Sequence, residues 1–205
     1  MKMPIIALGR QFGSGGRQVG RRIAGELGVP FYDKELLAHA AKESGMAKEL
    51  FENYDEAPTN SLLYSLSMGA YSMGNLNAAA FNLPLNHKVF LAQFDAIKKL
   101  AEQGGCVIVG RCADYALANY PHLVNVFIYA DIKKRAARAA EGIPLKEAEE
   151  RALKTDKKRA SYYNFYSNKK WGAVESYHLS VDSGAINLDN TARLILDFAQ
   201  MKDPE

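Results

Sequence analysis

Four short runs of the 205-residue chain are rich in strand-forming residues, Ile5–Leu8, Val107–Val109, Val124–Tyr129 and Tyr177–Asp182, and the first three are apolar almost without interruption. A fifth, Val29–Tyr32, is weaker. The first three lack the alternation of a strand with one wet face, so they suit strands buried on both faces of a parallel sheet. Between the runs, apolar positions recur at helical spacing. Residues 17–27 end at Gly28 ahead of Pro30, a stop signal. Residues 34–43 and 88–103 are amphipathic, the second closing at Gly104-Gly105, and Asp131 is a capping candidate ahead of a helix over 132–140. A charged stretch runs from Pro144 to about Tyr166, and a last helix covers 189–199. Strands alternating with helices of this length predict a three-layer α/β domain with right-handed crossovers.

Residues 54–87 break the pattern with Pro58, Pro84, several Asn and Ser, and the apolar, small-residue run Leu62–Met73. They predict a helical insert within a single domain over 1–205, and the stretch 60–75 offers a surface for the core or for a second subunit. Composition adds limits rather than a function. Apolar residues make up 48% and charged residues 24%, the balance of a soluble globular protein, which excludes disordered and coiled-coil classes. No apolar run approaches the roughly 20 residues that span a bilayer, and the start has no signal-peptide core. Cys106 and Cys112 are the only cysteines, so no disulfide framework is expected and a cytoplasmic location is.

Net charge is +3, too little to imply nucleic acid as a partner, but its distribution is uneven. Residues 133–170 hold 12 Lys/Arg against five Asp/Glu, while the rest holds 14 against 18. A mildly acidic body thus carries one segment of +7, which fits small polyanionic ligands better than a membrane or a nucleic acid. A solvated helix face is the plain alternative for that charge run.

The chemical signal is at the front of the chain. The apolar run at 5–8 enters Gly9-Arg-Gln-Phe-Gly-Ser-Gly-Gly-Arg-Gln-Val-Gly20, and a helix follows at once. Glycines there let backbone N–H groups converge, and a helix N-terminus adds positive potential, so an anion is favoured. Gly13, Ser14, Gly15, Gly16, Arg17 and Gln18 are the candidate phosphate cradle; glycines that merely relieve a tight turn are the alternative. The phosphate-loop pattern G-x-x-x-x-G-K-[ST] fits incompletely. With Gly15 as its second glycine, Gly16 stands where the lysine belongs, and Arg17 and Gln18 follow. Arg17 is one residue displaced, yet its longer fork could reach the phosphates. A dinucleotide-binding reading competes through Gly13, Gly15, Gly20 and an acid at Asp33, with Tyr166 and Lys170 as a dehydrogenase-like pair. No serine stands at the matching distance before Tyr166, and the chain is short for six strands.

In this order and over most of the chain, four features resemble the cytidylate kinase-like branch of the nucleoside monophosphate kinases, within the P-loop superfamily. They are Gly13-Ser-Gly-Gly-Arg17; Val29-Pro-Phe-Tyr-Asp33; Val107-Ile-Val-Gly-Arg111 with Asp114; and Asp156-Lys-Lys-Arg159 followed by Tyr162-Tyr163. The tail from Leu179 to Ser183 and the helix after it also match. The resemblance implies a P-loop kinase fold with a five-stranded parallel sheet in the order 2-3-1-4-5, the acceptor-side insert at 54–87 and a basic lid at 144–172. It implies phosphoryl transfer from ATP, with Mg²⁺, to a nucleoside monophosphate, CMP in the parent enzymes. Asp33, Arg111 and Asp114 would then lie by the acceptor, and Arg17, Arg159 and Lys157 would neutralise charge on the transferring group. Arg151 and Lys158 follow them, and no metal ligand is singled out. Because the lysine is missing, a nucleotide-binding protein without turnover is the second expectation.

Other residues carry two readings each. Asp33 could orient an acceptor or cap the helix after it, and Arg111 could bind ligand or pair internally with Asp33 or Asp114. The run Tyr162–Tyr166 with Trp171 could stack a base or form a packing seam. Cys112 could be an activated thiol or a packed one. His39, His87, His122 and His178 have no metal-ligand spacing.

Overall fold

β1 (Ile5–Arg10) lies at the centre of the sheet, with β3 (Cys106–Val109) on one side and β4 (Leu123–Tyr129) on the other. The computed structural model describes residues 3–33, 35–47, 49, 51 and 84–202. All pairings are parallel: Ile5 faces Cys106 and Leu123, Phe31 faces Val107, and Val126 faces Leu179. With β2 (Phe31–Tyr32) and β5 (Leu179–Asp182) at the edges, the strand order is β2-β3-β1-β4-β5. This is the expected order 2-3-1-4-5. It removes the dinucleotide-binding alternative, in which the second strand lies beside the first; here β3 separates them.

The continuous apolar runs are explained by two covered faces. Ile6, Leu8, Val107, Val109, Val126 and Ile128 pack beneath α1 (Gly16–Leu27) and α7 (Leu188–Met201), through Val19, Ile23, Ala192 and Ile195. Ile5, Ala7, Cys106, Ile108 and Leu123 face the other way, onto α2 (Glu35–Ser44), α3 (Leu85–Glu102) and the single turn α4 (Ala113–Ala116). Burial pushes the Cys106 thiol up to about 11, and Cys112 is buried as well, so both read as packed thiols.

Helix ends follow local chemistry. α1 stops at Gly28 in the left-handed conformation, φ 65°, where glycine carries no Cβ penalty. Asp131 caps α5 (Ile132–Ala139) by accepting from the Lys133 N–H at 2.9 Å, and Asn187 caps α7 likewise. α7 thus begins one residue before the expected helix, and β5 begins two residues into the expected run at 177–182, which a 3₁₀ turn over Val174–Ser176 precedes. The charged stretch after Pro144 is one helix, α6 (Leu145–Ser167), ending at Asn168 with φ 54°. The helical insert expected at 54–87 and the subunit surface at 60–75 lie outside the described residues, except that 84–87 open α3. No helix among the described residues is long and apolar enough to cross a membrane.

The aromatic run is a packing seam. Tyr162, Tyr163 and Tyr166 are buried with Phe90, Phe127 and Tyr177; the Phe90 and Tyr166 rings stack at 3.8 Å. Edge-to-face and stacked pairs of this kind add to area burial. The seam packs α6 against α3 and, through Tyr177, against Phe127 of β4, which positions the site.

Candidate functional site

β1 ends at Gly9-Arg10, and the chain turns through Gln11–Gly15 before α1 begins at Gly16. Two left-handed glycines make the turn, Gly13 at φ 74° and Gly15 at φ 81°. Neither tolerates a side chain: a Cβ on Gly13 would stand 2.4 Å from the Arg135 carbonyl oxygen, and one on Gly15 2.5 Å from Leu188 Cδ2. The first intrahelical bond of α1 is Val19 N–H to the Gly15 carbonyl, at 3.0 Å, and Gly15 offers no side-chain cap. The amides ahead of that bond stand at a positive helix end, which is anion-binding geometry.

This turn borders a cavity of about 640 Å³. Gly13, Gly15, Gly16, Arg17, Gln18, Asp33, Arg111 and Arg159 of the expected site residues line it, and so do Arg10, Arg138, Arg151 and Glu141. Six arginines against two carboxylates leave a formal excess of four positive charges. The volume is that of an ordinary small-molecule site. Ser14 contributes differently from expectation. Its side chain is fully buried, it is not part of the cavity wall, and its carbonyl accepts from Arg138 Nη1 at 3.1 Å and Ser183 Oγ at 2.6 Å. Lys157 and Lys158 are exposed on α6 and line no described cavity, whereas Arg151 and Arg159 stand on the face turned to the loop. Their guanidinium carbons lie 5.4 and 5.9 Å from the Phe12 ring centre, and Arg159 Nη1 donates to the Arg10 carbonyl at 3.3 Å.

Asp33 follows the end of β2 and accepts from two guanidiniums, Arg17 Nε at 2.9 Å and Arg111 Nη1 at 3.1 Å. Arg111 is 3% exposed and also donates to the Val109 carbonyl at 3.0 Å, so its internal partner is Asp33 rather than Asp114. It occupies a strained turn: Gly110, Arg111 and Cys112 all have positive φ, of 78°, 55° and 53°. Left-handed backbone at two successive non-glycine residues costs energy and is held by its surroundings, a pattern that clusters at functional sites.

Asp114 does not share the large cavity. It is 6% exposed and accepts from Tyr163 Oη at 2.7 Å, with Asn125 Nδ2 at 3.4 Å and Lys169 Nζ at 3.8 Å. Burial raises its carboxyl above the ordinary range, more than Tyr163 and Lys169 lower it. Burial and the neighbouring carboxylate likewise push Tyr163 upward. Because folding raises the Asp114 value, the stability contributed by its proton is fully present below the ordinary value near 3.8 and is lost as pH rises through the raised one. Asp114→Asn should therefore flatten the pH dependence of stability above about pH 4, read by urea unfolding at a series of pH values. An unchanged slope would rule Asp114 out as its source.

Reading along the chain missed the groups that hold the loop. Asp156, 8% exposed, accepts the Phe12 N–H at 2.7 Å with one oxygen and Arg135 Nη1 at 2.6 Å with the other. Arg135, 4% exposed, also donates to the carbonyls of Phe12 and Ala130, at 3.1 and 2.9 Å. Gln11 Oε1 accepts from the Ala130 N–H at 3.2 Å, and Arg138 Nη2 donates to the Ser183 carbonyl at 2.6 Å. A faint signal existed: Arg135 and Arg138 are three apart on the helix that Asp131 caps, and so face one side.

The donor set does not suit a protein-held Mg²⁺. That ion asks for octahedral oxygen ligands and is usually bound through one or two carboxylates together with substrate phosphates. Both Asp33 oxygens are taken by guanidiniums, the Ser14 hydroxyl is off the cavity wall, and Arg17 stands where the phosphate-loop pattern has its hydroxyl. Among the described residues no group of three His, Cys, Asp or Glu side chains gathers to hold a metal.

Comparison with solved structures finds an uncharacterised protein from Eubacterium ventriosum at TM-score 0.73 and 28% identity, over 98% of this chain and all of the other. Shikimate kinases are similar at the level of fold alone. That of Acinetobacter baumannii, in complex with shikimate, has TM-score 0.52 and 15% identity over 97% of this chain and 93% of the other. That of Bacteroides thetaiotaomicron has TM-score 0.54 and 14% identity over 97% and 99%. The sheet and its covering helices are those of the P-loop kinases. No curated protein matches the chain. The model of the cytidylate kinase-like family matches residues 5–185, from β1 through the end of β5, and the chain belongs to that family.

Proposed function

We propose that the chain transfers the terminal phosphoryl group of a nucleoside triphosphate, ATP foremost, to a nucleoside monophosphate of the CMP class. The observation that carries this reading is the convergence, on one cavity, of the glycine turn, the α1 N-terminus and six arginines. Phosphoryl transfer asks little covalent chemistry of the protein; it asks for in-line placement and positive charge around the transferring group. In this reading the Gly13–Gln18 backbone holds the donor phosphates, and Arg17 takes the part of the missing lysine. Arg159 and Arg151 meet charge on the transferring group from α6, which plays the part of the lid, while Lys157 adds only long-range field. The acceptor phosphate oxygen attacks the terminal phosphorus as its bond to the bridging oxygen breaks; the donor leaves as the nucleoside diphosphate, and the acceptor becomes a second one. Asp33 and Arg111 orient the acceptor. Asp114 acts at one remove, through Tyr163, by setting where α6 sits. No side chain of the cavity wall is assigned to a Mg²⁺ ion.

Gly16 at the lysine position supports a second reading, a nucleotide-binding protein without turnover. A coupled assay with ATP and a panel of nucleoside monophosphates, run beside calorimetric binding, separates the two. Diphosphate product with CMP is the expected result. Binding with no product for any acceptor would leave the second reading standing, and absence of any nucleotide binding would overturn both.

A further inference from the structure

The cavity meets phosphate charge in an unusual way. A phosphate loop ordinarily combines one lysine with a divalent cation seated on a Ser/Thr hydroxyl just after it. Here that hydroxyl is replaced by Arg17, and the carboxylate next to it, Asp33, is 6% exposed and bridged by Arg17 Nε and Arg111 Nη1 at 2.9 and 3.1 Å. Freeing Asp33 for a metal would leave the 3%-exposed Arg111 without its ion partner, and breaking a buried pair on one side is strongly unfavourable. The remaining carboxylate of the cavity wall, Glu141, belongs to the turn after α5 rather than to the glycine loop. Against these stand six arginines, which keep their charge at any working pH; Arg111 and Arg138 are held by protein oxygens, and the planar forks of Arg17, Arg151 and Arg159 suit pairs of phosphate oxygens.

We propose that this cavity binds its nucleoside triphosphate in the metal-free form, with the Arg17 guanidinium covering both the missing lysine and the divalent cation of an ordinary phosphate loop. The inference rests on the phosphoryl-donor reading above and adds the ionic form of the donor. It follows from charge balance. The cavity has a formal excess of four positive charges. A bound divalent cation removes about two negative charges from the triphosphate and occupies oxygens that the guanidiniums would otherwise contact. Mg²⁺ thus competes with Arg17 for the phosphates.

The test is calorimetric titration of the whole chain with ATP, once in EDTA and once in excess Mg²⁺. Binding in EDTA should be at least as tight as in Mg²⁺, with Mg²⁺ weakening it by up to about tenfold, on the order of one lost charge-assisted hydrogen bond. Arg17→Thr restores the hydroxyl and should invert the preference, losing about tenfold in EDTA while keeping binding in Mg²⁺. Arg17→Lys keeps the charge and should preserve the original order, so a general loss of folding would be seen in both variants alike. ATP binding by the unaltered chain that vanishes in EDTA overturns this inference and leaves the phosphoryl-donor reading intact. So does a preference for metal-free ATP that Arg17→Thr does not change. Failure to bind ATP in either condition overturns the donor reading, and the inference with it.

Discussion

Asp156→Ala is expected to lower the unfolding free energy by about 3–5 kcal/mol, the usual result of removing one member of a buried ion pair. The substitution leaves the Arg135 guanidinium, 4% exposed, without its carboxylate, and takes the acceptor from the Phe12 N–H. The loss falls on a joint as well as on a charge. Asp156 ties α6 to the glycine loop, and Arg135 ties the loop to α5. Urea unfolding measures the effect. The double variant Asp156→Ala/Arg135→Met should recover part of the loss, since it removes the orphaned charge along with its partner. A loss below about 1 kcal/mol for Asp156→Ala, the size typical of an exposed pair, would show that the pair is not holding the loop.

The largest effect on the site is expected from Gly13→Ala. At φ 74° an added Cβ would lie 2.4 Å from the Arg135 carbonyl oxygen, a backbone atom of α5 that has no flexible side chain to yield. The loop has to move, and a misplacement of about 1 Å costs on the order of a hundredfold in rate. Phosphoryl transfer from ATP to CMP should fall by about that factor, with ATP affinity falling as well. Gly28→Ala is the matched control. It too sits at positive φ, 65°, but nothing stands within 4 Å of its Cβ, so it should cost only about 1–2 kcal/mol of backbone strain and leave the site unchanged. Equal nucleotide affinity in the two variants would mean that the Gly13 turn does not touch the ligand.

Much of the fold is legible in the sequence because its signals are local. Strands at Ile5, Val107 and Val124 announce themselves as apolar on both faces, and the helix stop at Gly28-Val-Pro30 needs only neighbouring residues. The strand order is less local; it came with the family resemblance and agrees with the observed pairing. The candidate site was legible in part. The glycine turn, Arg17, Asp33, Arg111 and Arg159 meet on one cavity. Asp114 and Lys157, drawn from the same motifs, do not line it. Along the chain Lys157 and Arg159 differ by two positions, but on α6 that is just over half a turn of the helix, so one faces solvent and the other the loop.

What the sequence by itself determined is everything that depends on a short period or a nearby residue: the five strands, the glycine turn, the capping Asp131, and the concentration of positive charge over 133–170. Tertiary structure alone decided which charges meet. Asp156 reaches Phe12 across 144 residues, and Arg111 reaches Asp33 across 78. No periodicity encodes such pairs, because they exist only after β2 lies beside β3 and the crossovers bring α5 and α6 over the end of β1. That closure turns a diffuse basic segment into two kinds of arginine. Arg135 and Arg111 are locked into buried pairs that shape the loop, and Arg151 and Arg159 are left facing the cavity.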